Sequence, residues 1–518
     1  MARNGMRESP EAGRLSGVLL YVAALVLCWS VLPALLQTVP HADNVEQLNW
    51  AHALQWGYLK HPPLPTALLW LASALVGPSA YLTYLLAMLC VGAGLLLIWR
   101  CALLLGDRRS ALVALLLSSA NYYLMGRGSF LNHNTVMLPF VAASAWAVLR
   151  IVQDTPGRRS WPLWVLLGLV QALGLLTKYQ MAIIIAANAA ALLAAGPWRR
   201  PGRALPFAGH AALCALATAL PLLPHYLWLQ QHAFSSFAYA GQNLLADLPA
   251  GQRLWHTLGF VAQQIGRLAP VGVALGLALL LQRVRALPDP AGAPAARTPP
   301  TVPTAHGDLE RALLLLALVP LALVLALALL GGVAPQNHWG ASSTLLLPLL
   351  LAHRLHAAAR LRPLAAFAAV AAVQLLAVAW NVIAAFEAPG FHHAFAARQL
   401  ATQALAHWQQ HVKGPLRVVA GPDWDAGAIA LYLPGHPAVL ASGDRRQAPW
   451  ITDEELARCG ALVLWRPGQP PADQVGAELA ARIEAPVILQ EHMQRGIVST
   501  IGAGILAPTA GGCGDLPR

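Results

Sequence analysis

The chain has 518 residues, of which 57% are hydrophobic and 11% charged, where a soluble domain carries about 25% charged residues. That composition excludes a soluble enzyme, a disordered protein and a disulfide scaffold, and fits a polytopic membrane protein with one smaller polar part. The net charge is +12, from 34 Lys and Arg against 22 Asp and Glu. The basic residues form short clusters between apolar runs, which is the pattern of membrane topology and not of nucleic-acid binding.

The first apolar run, Leu15–Leu36, follows Arg3, Arg7 and Arg14. It is long and shows no small-x-small cleavage site, so an uncleaved first helix is expected in preference to a signal peptide. The next segment, His41–Pro65, is polar and aromatic. It carries Asp43, Asn44, Glu46, Trp50, Trp56, Tyr58, Lys60, His61 and the pair Pro62-Pro63. If Asp43 starts a helix, Asp43 and Glu46 share one face. The alternative is a capping box, with Asp43 as N-cap and Glu46 completing it. Pro62-Pro63 blocks helix before it. Leu64–Val76 is apolar but too short to span comfortably, and suits an interfacial helix. Lys60 and His61 then sit at headgroup level at a helix N-terminus, a place that suits a phosphate or simply a snorkelling loop end.

Ten further spans are expected: Leu82–Leu105, Ser110–Met125, Thr135–Val152, Leu163–Leu176, Met181–Ala195, Leu205–Leu229, Leu258–Leu281, Leu313–Val333, Ser342–Leu355 and Leu364–Phe386. With the N-terminus cytoplasmic, every second connection is rich in Arg: Arg100/Arg108/Arg109, Arg150/Arg158/Arg159, Arg199/Arg200/Arg203, Arg283/Arg285/Arg297 and Arg354/Arg360/Arg362. The alternate connections are poor in basic residues, as the positive-inside rule requires. Eleven spans place the tail outside. Pro288–Pro303 reads as a flexible cytoplasmic linker. His225–His256, with Gln230, Gln231, His232, Tyr239, Gln242, Asn243 and Asp247, reads as too polar for a span and as a lid or acceptor loop.

Two domains follow: residues 1–386 in the membrane, and residues 387–518 as a small soluble extracytoplasmic α/β domain. Eleven of the 22 acidic residues lie between Asp423 and Asp515. Short apolar runs at Arg417–Ala420, Ala438–Ala441, Ala461–Trp465 and Val487–Gln490 read as buried strands. Asp425–Leu433, Thr452–Arg458 and Ala472–Ile483 read as helices. Cys28, Cys90, Cys101 and Cys214 fall in or beside spans and read as packing residues. Cys459 and Cys513 both lie in the tail, where an oxidising compartment permits a disulfide. No His, Cys or Asp cluster has metal-ligand spacing, so a divalent metal is possible but not indicated, and no other cofactor is expected.

Asp43 through Trp50, then Gly57-Tyr58 and His61-Pro62-Pro63-Leu64, resemble the first outer loop of bacterial family 39 glycosyltransferases. These are relatives of protein O-mannosyltransferases and of lipid A aminoarabinose transferases. Gly174-Leu-Leu-Thr177-Lys178 resembles the same family's Gly-Leu-Leu-Ser/Thr-Lys segment, and Asn337-His338-Trp339 its outer Asn/His-Trp element. The similarity covers about the first 380 residues. Where the family has Asp-Glu, this chain has Asp43-Asn44, and its second outer loop, Arg127 to Asn134, lacks the Asp that many relatives carry.

The resemblance implies a GT-C-like helical membrane architecture, a polyprenyl-phosphate sugar donor, and a lipid, glycan or protein acceptor at the outer face of the bacterial cytoplasmic membrane. Under it, Asp43 is the general base, with inversion at the anomeric carbon. Lys60, His61, Arg127 and Lys178 meet the leaving phosphate. Glu46, Tyr58, His133, His338 and Trp339 are candidate sugar or acceptor contacts. Lys178 lies at a span boundary, where an ionisable group is a functional candidate or a snorkelling anchor. Arg127 lies on the outer side, against the positive-inside trend. Trp and Tyr also gather at interfaces without any catalytic part. The competing readings are a transporter or flippase of a lipid-linked saccharide, and a non-catalytic lipid-binding relative. Polar residues gathered on one side of the membrane and the lack of an internal repeat argue against a transporter.

Overall fold

The computed structural model describes residues 10–153, 160–242, 248–284, 303–359, 361–493, 496–509 and 513. Asn243, Asp247, the linker up to residue 302, and Arg3, Arg7, Arg158, Arg159, Arg285, Arg297 and Arg360 lie outside them. In chain order the helices are α1 (Pro10–Leu36), α2 (Ala42–Trp50), α3 (Leu64–Val76), α4 (Ala80–Leu105), α5 (Arg108–Ser119), α6 (His133–Val152) and α7 (Trp161–Thr177). Next come α8 (Met181–Ala195), α9 (Ala204–Gln231), α10 (Ser235–Gly241), α11 (Ala250–Val284), α12 (Pro303–Leu329), α13 (Gly340–Ser343), α14 (Leu347–Ala359) and α15 (Pro363–Glu387). Contacts divide the chain into two compact units. The first holds residues 1–29, 87–129 and 133–379; the second holds 30–86, 130–132 and 380–518.

Among the described residues, eight helices are long and apolar enough to cross a membrane. The other three expected spans correspond to the shorter α5, α7 and α14, of 12, 17 and 13 residues. At 1.5 Å per residue, α5 rises only about 18 Å. It stops because Asn121 opens a tighter turn, accepting from the Tyr123 N–H at 3.1 Å. The segment His225–His256 is more helical than expected. α9 runs on through Gln231, α10 forms a short helix, and α11 begins at Ala250.

In the first unit, small residues let helices approach closely, as lipid-embedded packing favours. A Cβ on Gly168 of α7 would lie 2.4 Å from the Cys214 carbonyl of α9. Buried polar side chains add cross-links. Trp29 Nε1 donates to Gln374 Oε1 at 2.8 Å, and Gln374 Nε2 donates to the Ser119 carbonyl at 2.8 Å. Large apolar side chains such as Leu205, Leu330 and Leu375 remain exposed, as lipid-facing residues would.

In the second unit, α16 (Phe391–Ala394) and α17 (Ala397–His411) precede β1 (Val418–Gly421), α18 (Asp423–Ala430), β2 (Ala438–Ala441), α19 (Asp453–Cys459), β3 (Ala461–Trp465), α20 (Pro471–Val475), α21 (Ala477–Ala480), β4 (Glu484–His492) and β5 (Val498–Leu506). The strand order is β2-β1-β3-β5-β4. The first three strands are parallel; β5 pairs antiparallel with both β3 and β4. Both faces are covered, so each central strand reads as a continuous apolar run. Val419, Leu462 and Leu464 pack with α17 and α18; Val418, Ala420 and Val463 pack with α19 and the α20–α21 pair. The expected helix Ala472–Ile483 is broken into α20 and α21 at Gly476, whose φ of +83° leaves the helical region. Cys459 and Cys513 are joined by a disulfide.

Candidate functional site

The first outer-loop motif folds entirely within the second unit. His41 is the N-cap of α2, and Asp43 sits inside the first turn with no capping bond from the N-cap side chain. The capping-box alternative for Asp43 is therefore replaced by the shared-face geometry. Asp43 is partly exposed, and its Oδ2 accepts from Asn132 Nδ2 at 2.7 Å.

Asn44 points the other way and is fully buried. Its Nδ2 donates to Thr83 Oγ1 at 2.8 Å, and its Oδ1 accepts from the Leu131 N–H at 3.2 Å. An amide can do both at once, whereas an ionised carboxylate can only accept. The departure from the family's Asp-Glu pair thus falls at a structural pin that ties α2 to α4 and to residues 130–132.

Glu46, one turn after Asp43, is an ion-pair partner of Lys60. Lys60 Nζ also lies 3.7 Å from Asp423 Oδ2, at the start of α18. Burial pushes the Glu46 carboxyl up to about 7, with Lys60 pulling it down and Asp423 pushing it further up. Asn49 Nδ2 donates to Asp423 Oδ1 at 3.0 Å. α2 and α18 meet so closely at Gly427 that a Cβ there would lie 2.4 Å from Val45 Cγ1. Trp424 Nε1 donates to the Pro40 carbonyl at 3.1 Å.

Lys60 and His61 are held on a tight turn. The Tyr58 N–H donates to the His61 carbonyl at 3.0 Å, and the His61 N–H to the Tyr58 carbonyl at 3.2 Å. Tyr58 is only 3% exposed. Its ring stacks on Trp50 at 5.0 Å and its hydroxyl donates to the Ala53 carbonyl, so it braces the loop and offers no sugar-facing surface. Beyond Pro62-Pro63, α3 begins at Leu64 with Pro65 in its first turn, where a missing N–H costs nothing.

The remaining candidates belong to the first unit. Lys178 follows the last residue of α7, and its Nζ donates to Asn134 Oδ1 in the first turn of α6 at 2.7 Å. Arg127 lies half-buried on a short 3₁₀ turn, Gly126–Ser129. The turn rests on Trp29, because a Cβ on Gly126 would come within 2.9 Å of that indole. His133 is buried at the start of α6. His338 and Trp339 lie on a 3₁₀ turn, Asn337–Trp339, whose carbonyls are gripped by helices. The Asn337 carbonyl accepts from Tyr123 Oη, from Gln264 Nε2 at 3.1 Å and from Arg267 Nη1 at 2.8 Å. The Trp339 carbonyl accepts from Gln180 Nε2 at 3.0 Å. Gly340 is required next to this turn, since its Cβ would lie 1.7 Å from Gln264 Oε1.

Asp423, Asn132 and Arg267 are the residues that the sequence reading passed over or left undistinguished. Arg267 carried a signal, as a charge inside the apolar stretch Leu258–Leu281. Asp423 carried none, because its partners lie more than 360 residues away in sequence.

Residues 60–228 match the family model described as dolichyl-phosphate-mannose-protein mannosyltransferase. The lipopolysaccharide core galacturonosyltransferase RgtA of Rhizobium johnstonii is 27% identical over 383 residues, which covers 70% of this chain and 69% of that one. The crystal structure of ArnT from Cupriavidus metallidurans bound to undecaprenyl phosphate superposes with a TM-score of 0.57 at 13% identity, covering 94% of this chain and 98% of that one. The same protein in its apo state gives 0.48 at 12% identity, covering 95% and 98%. The fold and these matches define a multi-pass membrane glycosyltransferase of GT-C architecture. Within that class the chain is PMT-like and ArnT-like, as its first-loop motif led one to expect.

Proposed function

We propose that the chain transfers a sugar from a polyprenyl-phosphate donor to an acceptor at the outer face of the bacterial inner membrane, with Asp43 as general base. The observation that carries this reading is the contrast on α2. Glu46 is tied to Lys60, whereas Asp43 is accessible and has one oxygen oriented by the neutral Asn132 amide. The other oxygen faces the task of accepting a proton. An acceptor hydroxyl attacks the anomeric carbon, its proton passes to Asp43, and the bond from that carbon to the phosphate oxygen breaks. The electron pair leaves with the phosphate. A single displacement of this kind inverts the anomeric centre.

The leaving phosphate is met by side-chain cations, with no metal required. Lys60 and His61 are offered by the braced turn after α2, and a phosphate at Lys60 exchanges with the carboxylates of Glu46 and Asp423. Lys178, oriented by Asn134, and Arg127 are further candidate cations for a phosphate. The alternation of Arg clusters supports a cytoplasmic N-terminus, and the Cys459–Cys513 disulfide suits a C-terminal domain in an oxidising compartment.

The test is mass spectrometry of lipid, glycan and protein fractions from cells that carry the chain, lack it, or carry Asp43→Asn. A glycosyl increment present only with the unaltered chain is the expected result. The same increment at full level in the Asp43→Asn strain removes Asp43 from the chemistry, and no difference among the three removes the transfer reading.

A further inference from the structure

A cavity of about 530 Å³ in the second unit takes no part in this reaction scheme. Four segments wall it: the end of α1, the start of α4, the start of α17 and the turn after α18. Its volume falls in the range of small-molecule sites. α1 and α4 are both long and apolar enough to cross a membrane. The place where one ends and the other begins is therefore the level of the lipid headgroups.

The wall selects an anion. Among the described residues it carries one full charge, the Arg398 guanidinium, and no Asp or Glu. Arg398 is exposed and forms no ion pair among the described residues. It is nevertheless held in place. Its guanidinium lies over the Tyr432 ring, 4.9 Å from the centroid, and the Tyr432 hydroxyl donates to the Thr38 carbonyl at 2.9 Å. A guanidinium has five N–H donors, more than one tyrosine can use, and their planar fork matches phosphate oxygens.

Neutral donors stand around this cation. Gln37 has its Oε1 engaged by the Tyr84 hydroxyl at 2.9 Å, which fixes the amide and leaves its NH₂ group as the donor side. Ser79 Oγ accepts from the Leu82 N–H at 3.1 Å, so its own proton is left to donate. Tyr81, in the first turn of α4, lines the same cavity and is exposed.

Two features narrow the anion to a lipid of one kind. Leu35, next to the lining residue Ala34 in the last turn of α1, is 77% exposed, as a residue laid along an acyl chain would be. The wall has no carboxylate to pair with an ammonium, and the Tyr432 ring is already covered by Arg398. An amine headgroup would leave its charge unmatched there. A phosphodiester that ends in hydroxyls finds a partner for each of its groups.

We propose that this cavity binds the headgroup of an anionic glycerophospholipid of the surrounding bilayer, with Arg398 on the phosphodiester and Gln37, Ser79 and Tyr81 on the headgroup hydroxyls. The lipid is no substrate, and no bond is made or broken. It fastens the start of α17 and the turn after α18 to the membrane beside α1 and α4. The proposal stands apart from the glycosyl-transfer reading.

The test places the full-length chain in nanodiscs of phosphatidylglycerol and phosphatidylethanolamine in equal parts and counts retained lipid by native mass spectrometry. Phosphatidylglycerol adducts are expected to exceed phosphatidylethanolamine adducts about fivefold, the worth of one arginine near an anionic headgroup. Arg398→Gln is expected to abolish that preference. Tyr81→Phe leaves the cation in place and gives a second, independent arm. It is expected to lower phosphatidylglycerol adducts about threefold, for one lost hydrogen bond, while adducts of phosphatidate, which has no headgroup hydroxyls, stay unchanged. Equal retention of the two lipids by the unaltered chain, a preference that survives Arg398→Gln, or an unchanged count in Tyr81→Phe overturns the proposal. Displacement of phosphatidylglycerol by millimolar inorganic phosphate makes the site one for free phosphate, and displacement by equimolar polyprenyl phosphate makes it a second site for the donor lipid. Either result overturns the assignment to a bilayer phospholipid.

Discussion

The two ends of α2 use similar residues for opposite purposes. At its start, Asp43 is partly exposed and touches the neutral amide of Asn132. Further along, Glu46 and Asn49 are drawn into ionic and hydrogen-bond contacts with Lys60 and Asp423. Both positions carry a carboxylate on the same face, yet only Glu46 is engaged by a cation, while Asp43 meets a neutral amide, which is why the proposal assigns the base to Asp43. The difference shows that proximity of acids on a helix is not enough to name a base. What the neighbours demand of each acid decides it.

The largest test of that contrast is Asp43→Asn. Transfer is expected to fall by about 10²–10⁴-fold, the usual worth of a positioned base, with membrane expression and Tm unchanged. A matching fall in Tm would recast Asp43 as structural. Asn44→Asp probes the pin between the two ends. It places a charge in a fully buried site and loses the donor to Thr83, for an expected loss of about 2–4 kcal/mol of stability. Thermal unfolding in detergent measures it, and an unchanged Tm would show that Asn44 pins nothing.

Lys60→Met attacks the far end. It leaves Glu46 and Asp423 facing each other with no cation between them, at an expected cost of about 1–3 kcal/mol, reduced by their partial exposure. Combining it with Asp423→Asn should restore part of the loss; a strictly additive pair would break the proposed coupling.

The smallest effect is a pH dependence. Burial raises the Glu46 carboxyl from the usual 4.5 to about 7, so over that interval the folded chain keeps a proton that the unfolded chain has lost. Stability is therefore expected to decline as pH rises from about 4.5 to 7 and to level off above. Glu46→Gln should flatten that part of the Tm-against-pH curve. An identical slope in the variant would assign it to other groups.

Much of the architecture was legible in the chain. The short apolar helix α3 begins and ends where Pro62-Pro63 and Gly77 dictate, and β2 and β3 occupy the short apolar runs at Ala438–Ala441 and Ala461–Trp465. β5 was not legible. Gly502 and Gly504 weaken its strand signal, yet Gly502 has to be glycine because Trp465 lies across it, with indole atoms 2.2 Å from where a Cβ would stand. α5 and α14 were read as spans because apolar composition does not reveal a cap such as Asn121. In the site, the Asp43 motif was visible as a pattern. The pairing of Lys60 with Asp423 was not, since it is made by tertiary folding alone.

The sheet order has a consequence for biosynthesis. β5, among the last strands to be made, inserts between β3 and β4, so a ribosome-bound chain stopped before Val498 leaves the edge of β3 open and β4 without a neighbour. Asp423 follows β1 directly, and β1 pairs with β2 and β3, so the residue that meets Lys60 is carried by the parallel half of the same sheet. A copy cut short before β5 is therefore expected to expose an unpaired sheet edge, a template for association with another chain.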